Sequence, residues 1–433
     1  MSEKYTLGLT RNRLFSLDNT VVFIGVNKEP FDERECTKAL KMLAAKEPII
    51  TAAIELNDDA SADVVLEKTE PFVAFSEDDA LALEKLYDQN GINFSERLFE
   101  FTVCGGNTLV IGAHTSVCDC KSLLRLAQLF IGFYNHDSLS VEPSDVLTFP
   151  DAKSLPAKLN SPIIDKLSAD LESKWKGDGV KFTVDDFIKA SKEYSLKKAE
   201  IGVLTERLSS DEKVSLAKYC SDNGLDLSSV VVFGFYDAVY GMVDVPKRAR
   251  KLSAYSDRRF FLSCAENCSV GPFNGNVDVS LKPKDKKLDD EGRLKAFHLA
   301  LYKGVTSAFR SFYDELLLMK LPPVYCDASY MNRAGCYPSR AASRLADNYG
   351  CSDERVLGSF SCNLAQEYWL PLTSFEEVRV SEPFVRKFCA MIDTFIYDGD
   401  VKIVFRYNKA KITDERAVEI AEKAMKMIRS FGK

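Results

Sequence analysis

Histidine is scarce in this 433-residue chain, which has only His114, His136 and His298. Three histidines leave little room for a histidine-rich metal site. The 12 cysteines do not compensate, because neither close pair, Cys118/Cys120 or Cys264/Cys268, has Cys-x-x-Cys spacing. An excess of basic charge is also missing. The formal net charge is −7, which argues against a general nucleic-acid binder, since such a protein meets phosphates with a basic surface. No unbroken apolar run approaches the roughly 20 residues needed to cross a bilayer, so no membrane span is expected. There is no Gly-x-x-x-x-Gly-Lys phosphate loop, and Gly105-Gly106 does not open a helix. The first residues, Met1-Ser2-Glu3-Lys4-Tyr5, carry no apolar stretch behind a basic end. No secretory signal is read there, and a cytoplasmic location is expected. The cysteines then read as reduced thiols used as small hydrophobes.

What is present is an ordinary globular composition, 46% hydrophobic and 28% charged, long enough for two large lobes. Val21–Val26, Ile49–Leu56 and Asp63–Leu66 read as strands. Glu33–Lys46 and Asp78–Tyr87 carry apolar residues at helical spacing. Phe99–Val103 and Thr108–Gly112 flank Cys104-Gly105-Gly106-Asn107 and predict a hairpin. A helix over Asp119–Tyr134 follows, with Leu123, Leu124, Ala127, Phe130 and Ile131 on one side. Between Asp137 and Pro162 the periodicity fails among scattered prolines, which marks a crossover. This places one lobe over residues 1–178 and the other over 179–433.

In the second half, Ser209 and Glu212 predict a capped helix. Ser228–Val243 reads as a buried helix and Glu291–Met319 as one long helix. Arg259–Ser263, Asn276–Leu281, Val356–Cys362 and Glu377–Val380 read as strands. Phe388–Tyr397, Asp398-Gly399 and Val401–Tyr407 form the clearest hairpin signal, and a last helix follows Thr413.

The chemistry-bearing stretch runs from His114 to Ser122: His114-Thr115-Ser116-Val117-Cys118-Asp119-Cys120-Lys121-Ser122, at the end of the second hairpin strand. It resembles the His-His-x-x-x-Asp-Gly motif of the chloramphenicol acetyltransferase-like superfamily, which includes alcohol acetyltransferases and the condensation domains of peptide synthetases. Softer resemblances follow in the same order as in that family. They are Asn223-Gly224-Leu225-Asp226-Leu227-Ser228, Val270-Gly271-Pro272-Phe273-Asn274-Gly275-Asn276, Gly358-Ser359-Phe360-Ser361-Cys362-Asn363-Leu364 and Tyr397-Asp398-Gly399.

The resemblance implies an α/β fold of two lobes with a channel between them. It implies an acyltransferase that moves an acyl group from coenzyme A or a carrier-bound pantetheine to an alcohol, amine or thiol. No tightly bound cofactor and no metal are implied, while an acyl carrier protein is a candidate partner. Ser361 and Asn363 would line the channel. Asp119 would be structural, paired with Lys121 or with a second-lobe arginine, for which Arg333, Arg340 and Arg344 are available. The family's catalytic base is the second His, because a general base that titrates near neutrality takes the acceptor's proton. Here that position is Thr115, and His114 stands at the first, non-catalytic position. The Gly after the Asp is Cys120.

Two functional expectations therefore stand side by side. One is an acyltransferase with a degenerate site, relying on positioning and oxyanion stabilisation. The other is a non-catalytic homologue that binds a ligand or serves as a scaffold. A chance match, with His114 as a core histidine, is the third reading. Cys118 and Cys120 read as packing residues rather than nucleophiles. The basic clusters Lys247-Arg248-Arg250-Lys251 and Lys282-Lys284-Lys286-Lys287 read as solvated loops, with coenzyme A phosphates or an acidic carrier as the functional alternative.

Overall fold

Strand β2 (Thr20–Asn27) is buried along most of its length, and it pairs antiparallel with β7 (Thr108–His114) over seven residues, from Thr20 opposite His114 to Val26 opposite Thr108. The computed structural model describes residues 3–7, 19–59, 61–78, 92–137, 141–144, 161–175, 180–195, 200–244, 250–262, 270–318, 320–337, 342, 359–362, 366–367, 375–384 and 388–433. The expected helix over Asp78–Tyr87, apart from its first residue, and most of the 137–162 crossover fall outside these residues.

Three sheets are formed. A small one joins β1 (Lys4–Thr6), β3 (Ala53–Leu56) and β4 (Ala62–Val65). The first large sheet adds β5 (Val73–Ser76) and β6 (Phe99–Cys104) to β2 and β7. Helices α1 (Glu33–Lys46) and α2 (Cys120–Tyr134) share its core, where Leu40, Leu43, Leu123 and Phe130 are fully buried. The β6–β7 turn works because Gly105 (φ 54°) and Gly106 (φ 80°) adopt the left-handed region, where a side chain would be strained. Ile49–Leu56 is a strand only from Ala53. Its start, Pro48–Thr51, is a 3₁₀ turn with proline in the first positions, where its fixed φ suits a helical turn.

Helices α3 (Pro162–Ser173) and α4 (Val184–Ser195) lead to the second large sheet, which joins β8 (Ile201–Leu208), β9 (Leu252–Asp257), β10 (Asn274–Val279), β11 (Ser359–Cys362), β12 (Gln366–Glu367), β14 (Phe388–Tyr397) and β15 (Asp400–Asn408). Asp398 (φ 52°) and Gly399 (φ 80°) turn the β14–β15 hairpin, the conformation that a two-residue turn of matching twist requires. Helices α5 (Ser210–Asn223), α6 (Leu227–Met242), α7 (Asp290–Val305) and α11 (Asp414–Phe431) build its core with Phe233, Phe235, Ile403, Phe405 and Ile428.

Two expected elements differ. Glu291–Met319 is not one helix but α7, α8 (Ala308–Ser311) and α9 (Tyr313–Leu318), because Ser307 caps a new helix by accepting from the Arg310 N–H. Arg259–Phe261 is a 3₁₀ turn rather than a strand; the strand lies just before it, and Arg258 and Arg259, at its start, each pair with a buried acid. Helix α10 (Pro323–Ala334) and α4 place Tyr330, Met331 and Phe187 in the first core.

Strand β13 (Phe375–Ser381) pairs antiparallel with β2 and so lies at the edge of the first large sheet. A division after residue 178 thus does not separate the two sheets. β13 leaves the second half of the sequence to complete the first sheet. Among the described residues no single helix is long and apolar enough to cross a membrane.

Candidate functional site

The strand β7 delivers His114 to its last position, and the chain then turns. The His114 carbonyl accepts from Val117 N at 3.1 Å and Cys118 N at 3.2 Å, while Thr115 N donates to the Asn19 carbonyl at 2.8 Å. Strand pleating ends at His114, so alternation does not fix the direction of Thr115. The His114 side chain is wholly buried. Its Nδ1 lies 2.7 Å from Ser116 Oγ and accepts from Ser116 N at 3.2 Å, and the Phe94 ring packs edge-on at 6.1 Å. Burial in this dry setting pushes the imidazole pKa down to about 3, because the charged ring has lost its water. His114 is therefore neutral at physiological pH. Among the described residues, neither His114 Nε2 nor Thr115 Oγ1, both buried, has a hydrogen-bond partner.

The other half of the motif is tied down on every side. Asp119 caps α2 by accepting from Ser122 N at 2.8 Å, using the orphan donors of a helix start. The Arg259 guanidinium grips Asp119 with both forks, Nη1 to Oδ2 at 3.1 Å and Nη2 to Oδ1 at 3.0 Å. Phe273 N donates to Asp119 Oδ2 at 3.0 Å. Arg259 Nη2 also donates to Ser122 Oγ at 2.7 Å. Ser122 Oγ in turn donates to the Gly271 carbonyl at 2.7 Å and accepts from Gly271 N at 2.9 Å. The Phe273 ring lies 4.5 Å from the guanidinium carbon. Every oxygen of this buried pair is used, which is the condition under which a buried ion pair is tolerated.

Asp257 extends the network. It accepts from Arg259 Nη1 at 3.0 Å and from Lys121 Nζ at 2.8 Å. Burial alone would raise its carboxyl pKa, but the adjacent Arg259 and Lys121 charges outweigh burial and lower it; the same carboxylates raise the Arg259 pKa against its own burial.

Among the described residues, the arginine that grips Asp119 is Arg259, which the sequence reading did not name. Lys121 pairs with Asp257. Arg333 sits in the last turn of α10, and Arg340 and Arg344 lie outside the described residues. Arg259, Asp257 and Gly271 were missed as site residues, although the Val-Gly-x-Phe-x-Asn resemblance pointed at the segment that closes the network. Cys118 and Cys120 are buried, and burial followed by nearby carboxylates pushes both thiols well above their ordinary pKa. They pack the loop. Ser361 lies on β11, where the backbone register sets it between Met391 of β14 and Ser253 of β9. Asn363 lies outside the described residues.

The site thus joins the two halves of the molecule through an acid, an arginine and a serine, beside a neutral histidine and a threonine. No family model matches the chain, and no curated protein matches it by sequence. Solved structures do match in fold. The epimerization domain from the third module of tyrocidine synthetase B is 15% identical over 100% of this chain and 96% of its own, with a TM-score of 0.63. The trichothecene 15-O-acetyltransferase from Fusarium sporotrichioides is 12% identical over 99% and 95%, with a TM-score of 0.60. The starter condensation domain of rhizomide synthetase, solved in complex with C8-CoA, is 12% identical over 99% and 95%, with a TM-score of 0.59. The chain has the chloramphenicol acetyltransferase-like fold, as its motif order predicts.

Proposed function

We propose that this acyltransferase-like chain binds an acyl thioester, of coenzyme A or of a carrier-bound pantetheine, without a working proton acceptor at its motif. The observation that carries this reading is the state of His114, the motif's sole histidine. It is wholly buried, with its pKa pushed down to about 3. A general base works best with a pKa near the operating pH, and Thr115 beside it has no basicity to offer. The architectural half, Asp119 with Arg259 and Ser122, is intact. That combination fits a scaffold that kept its shape after the base was lost. The C8-CoA in the rhizomide synthetase domain supports a thioester as the ligand class.

The intact lock also favours a second reading, an acyltransferase whose acceptor needs no base. A thiol, partly ionised near neutrality, is such an acceptor.

One experiment separates the two. Acetyl-CoA and octanoyl-CoA are titrated calorimetrically, and release of free thiol is followed with panels of alcohols, amines and thiols. The expected outcome is binding without release above the uncatalysed background by the wild type, and release about 10²-fold above that background by Thr115→His with an alcohol acceptor, the lower end of what a general base contributes. Release by the wild type with thiols alone selects the second reading. Release with alcohols or amines overturns the base-less site, and failure to bind either thioester overturns the ligand class.

A further inference from the structure

Nδ1 of His114 is fixed as an acceptor. Ser116 N, a backbone amide that can only donate, gives it a hydrogen bond at 3.2 Å, and Ser116 Oγ lies 2.7 Å from the same nitrogen. A neutral imidazole carries one proton, and an Nδ1 that accepts leaves that proton on Nε2. Burial, which pushes the ring's pKa down to about 3, keeps it in this uncharged form. His114 Nε2 is therefore an N–H donor. Among the described residues it has no acceptor, and the hydroxyl of the next residue, Thr115 Oγ1, has no partner either.

Both groups are shut away from bulk water, His114 wholly and Thr115 at 7% exposure. Their backbones are held in place, His114 N donating to the Leu98 carbonyl at 2.9 Å and Thr115 N to the Asn19 carbonyl at 2.8 Å. Nearly all buried polar groups in proteins are bonded, because an orphan gives up its water for nothing. Two orphans on successive residues of one turn are a cost to the fold that a ligand atom would offset.

We infer that His114 Nε2–H and the Thr115 hydroxyl are the donors that hold the carbonyl oxygen of the acyl thioester. The inference rests on the ligand class proposed above and names the atom that the motif recognises. Both donors are uncharged and already desolvated. They suit an uncharged oxygen, which loses far less hydration on burial than a carboxylate does. The histidine that is useless as a base thus has a use as a donor, and the threonine beside it completes the pair.

The test titrates the full chain calorimetrically with octanoyl-CoA and with S-octyl-CoA, the thioether in which a methylene replaces the carbonyl. Octanoyl-CoA is expected to bind about tenfold tighter, the worth of two ordinary hydrogen bonds. Thr115→Val removes the hydroxyl at nearly constant shape. It should weaken octanoyl-CoA several-fold and leave S-octyl-CoA unchanged, while the urea midpoint of the free protein stays level or rises, because an orphan has been removed. His114→Asn keeps an oxygen where Nδ1 meets Ser116 and puts nothing in place of Nε2, and it should act on the two ligands in the same way. Nitrogen NMR of the histidine-labelled chain, with the His114 signals identified by their loss in His114→Asn, should report the Nε2–H tautomer. An Nδ1–H tautomer, equal binding of thioester and thioether, or undiminished octanoyl-CoA binding in Thr115→Val would overturn this inference and leave the thioester reading standing. Failure of octanoyl-CoA to bind would overturn both.

Discussion

His114 would serve poorly as a base because proteins protonate a buried imidazole reluctantly, and that reluctance is itself a stability term. Its folded pKa, about 3, lies below the ordinary value of 6.5. Between those values the unfolded chain takes up a proton that the folded chain refuses, so stability falls as pH falls through that window. The slope is about 1.4 kcal/mol per pH unit for one such group. Urea titrations from pH 7 to pH 4 should show this slope in the wild type and lose it in His114→Gln, which does not titrate. Asp257 works in a lower window. Its folded pKa is depressed, so its contribution is present above its ordinary value near 4 and is lost below it.

At Arg259 the question is what a lone buried acid costs. Arg259→Met leaves Asp119, 2% exposed, without its counter-charge, and should destabilise the fold by about 3–5 kcal/mol. Arg259→Lys should recover only part of this, because an ammonium cannot reproduce the two-forked grip. Chemical denaturation of both variants checks the order.

Helices and strands obeyed local rules where their partners were local. Ser209 accepts from Glu212 N at 3.3 Å and the Glu212 carboxylate accepts from Ser209 N at 2.9 Å, the reciprocal cap that the Ser-x-x-Glu spacing predicts. Asp226, Asp289 and Thr413 cap their helices likewise. The turn after β9 escaped such reasoning. Arg258 is fully buried, bridging Glu315 at 2.7 Å and the Ser311 carbonyl at 2.9 Å, while its neighbour Arg259 reaches Asp119. Two buried arginines in succession, each with its own distant acid, curl the chain into a 3₁₀ turn where sequence pattern reads a strand. Helix packing shows the same dependence. On α6, a Cβ on Gly234 would lie 2.6 Å from Ile428 Cγ1 and 3.2 Å from the Ala424 carbonyl oxygen of α11. Gly234→Ala would raise helix propensity, yet it should destabilise the protein by about 1–3 kcal/mol through overpacking, read as a lowered urea midpoint.

At the scale of the whole molecule, the two halves are sewn together by side chains and by a strand. Arg259 joins Asp119 across the halves, and β13 crosses from the second half of the sequence to pair with β2. Phe375 of β13 packs edge-on against Phe23 at 6.5 Å and near Phe31 at 6.4 Å. A fragment of residues 1–178 would thus lack an edge strand and part of its own core, exposing β2 to wrong pairing. Expressed alone, it should show no cooperative thermal transition, and coexpression with residues 179–433 should restore one. A cooperative transition in the isolated fragment would show that β13 is dispensable.

Sequence by itself determined the hairpins at Gly105-Gly106 and Asp398-Gly399, the helix caps, the buried stripe of α2 and the order of motifs that identifies the fold. Each of these rests on residues a few positions apart, so the pattern carries the physics. Only the tertiary structure decided which arginine holds Asp119, because Arg259 is 140 residues away and chain separation leaves no periodic trace. The same holds for the place of β13 and the break between α7 and α8. The neutrality of His114 belongs here too, since an imidazole's charge is set by the water its surroundings exclude, and those surroundings assemble only on folding.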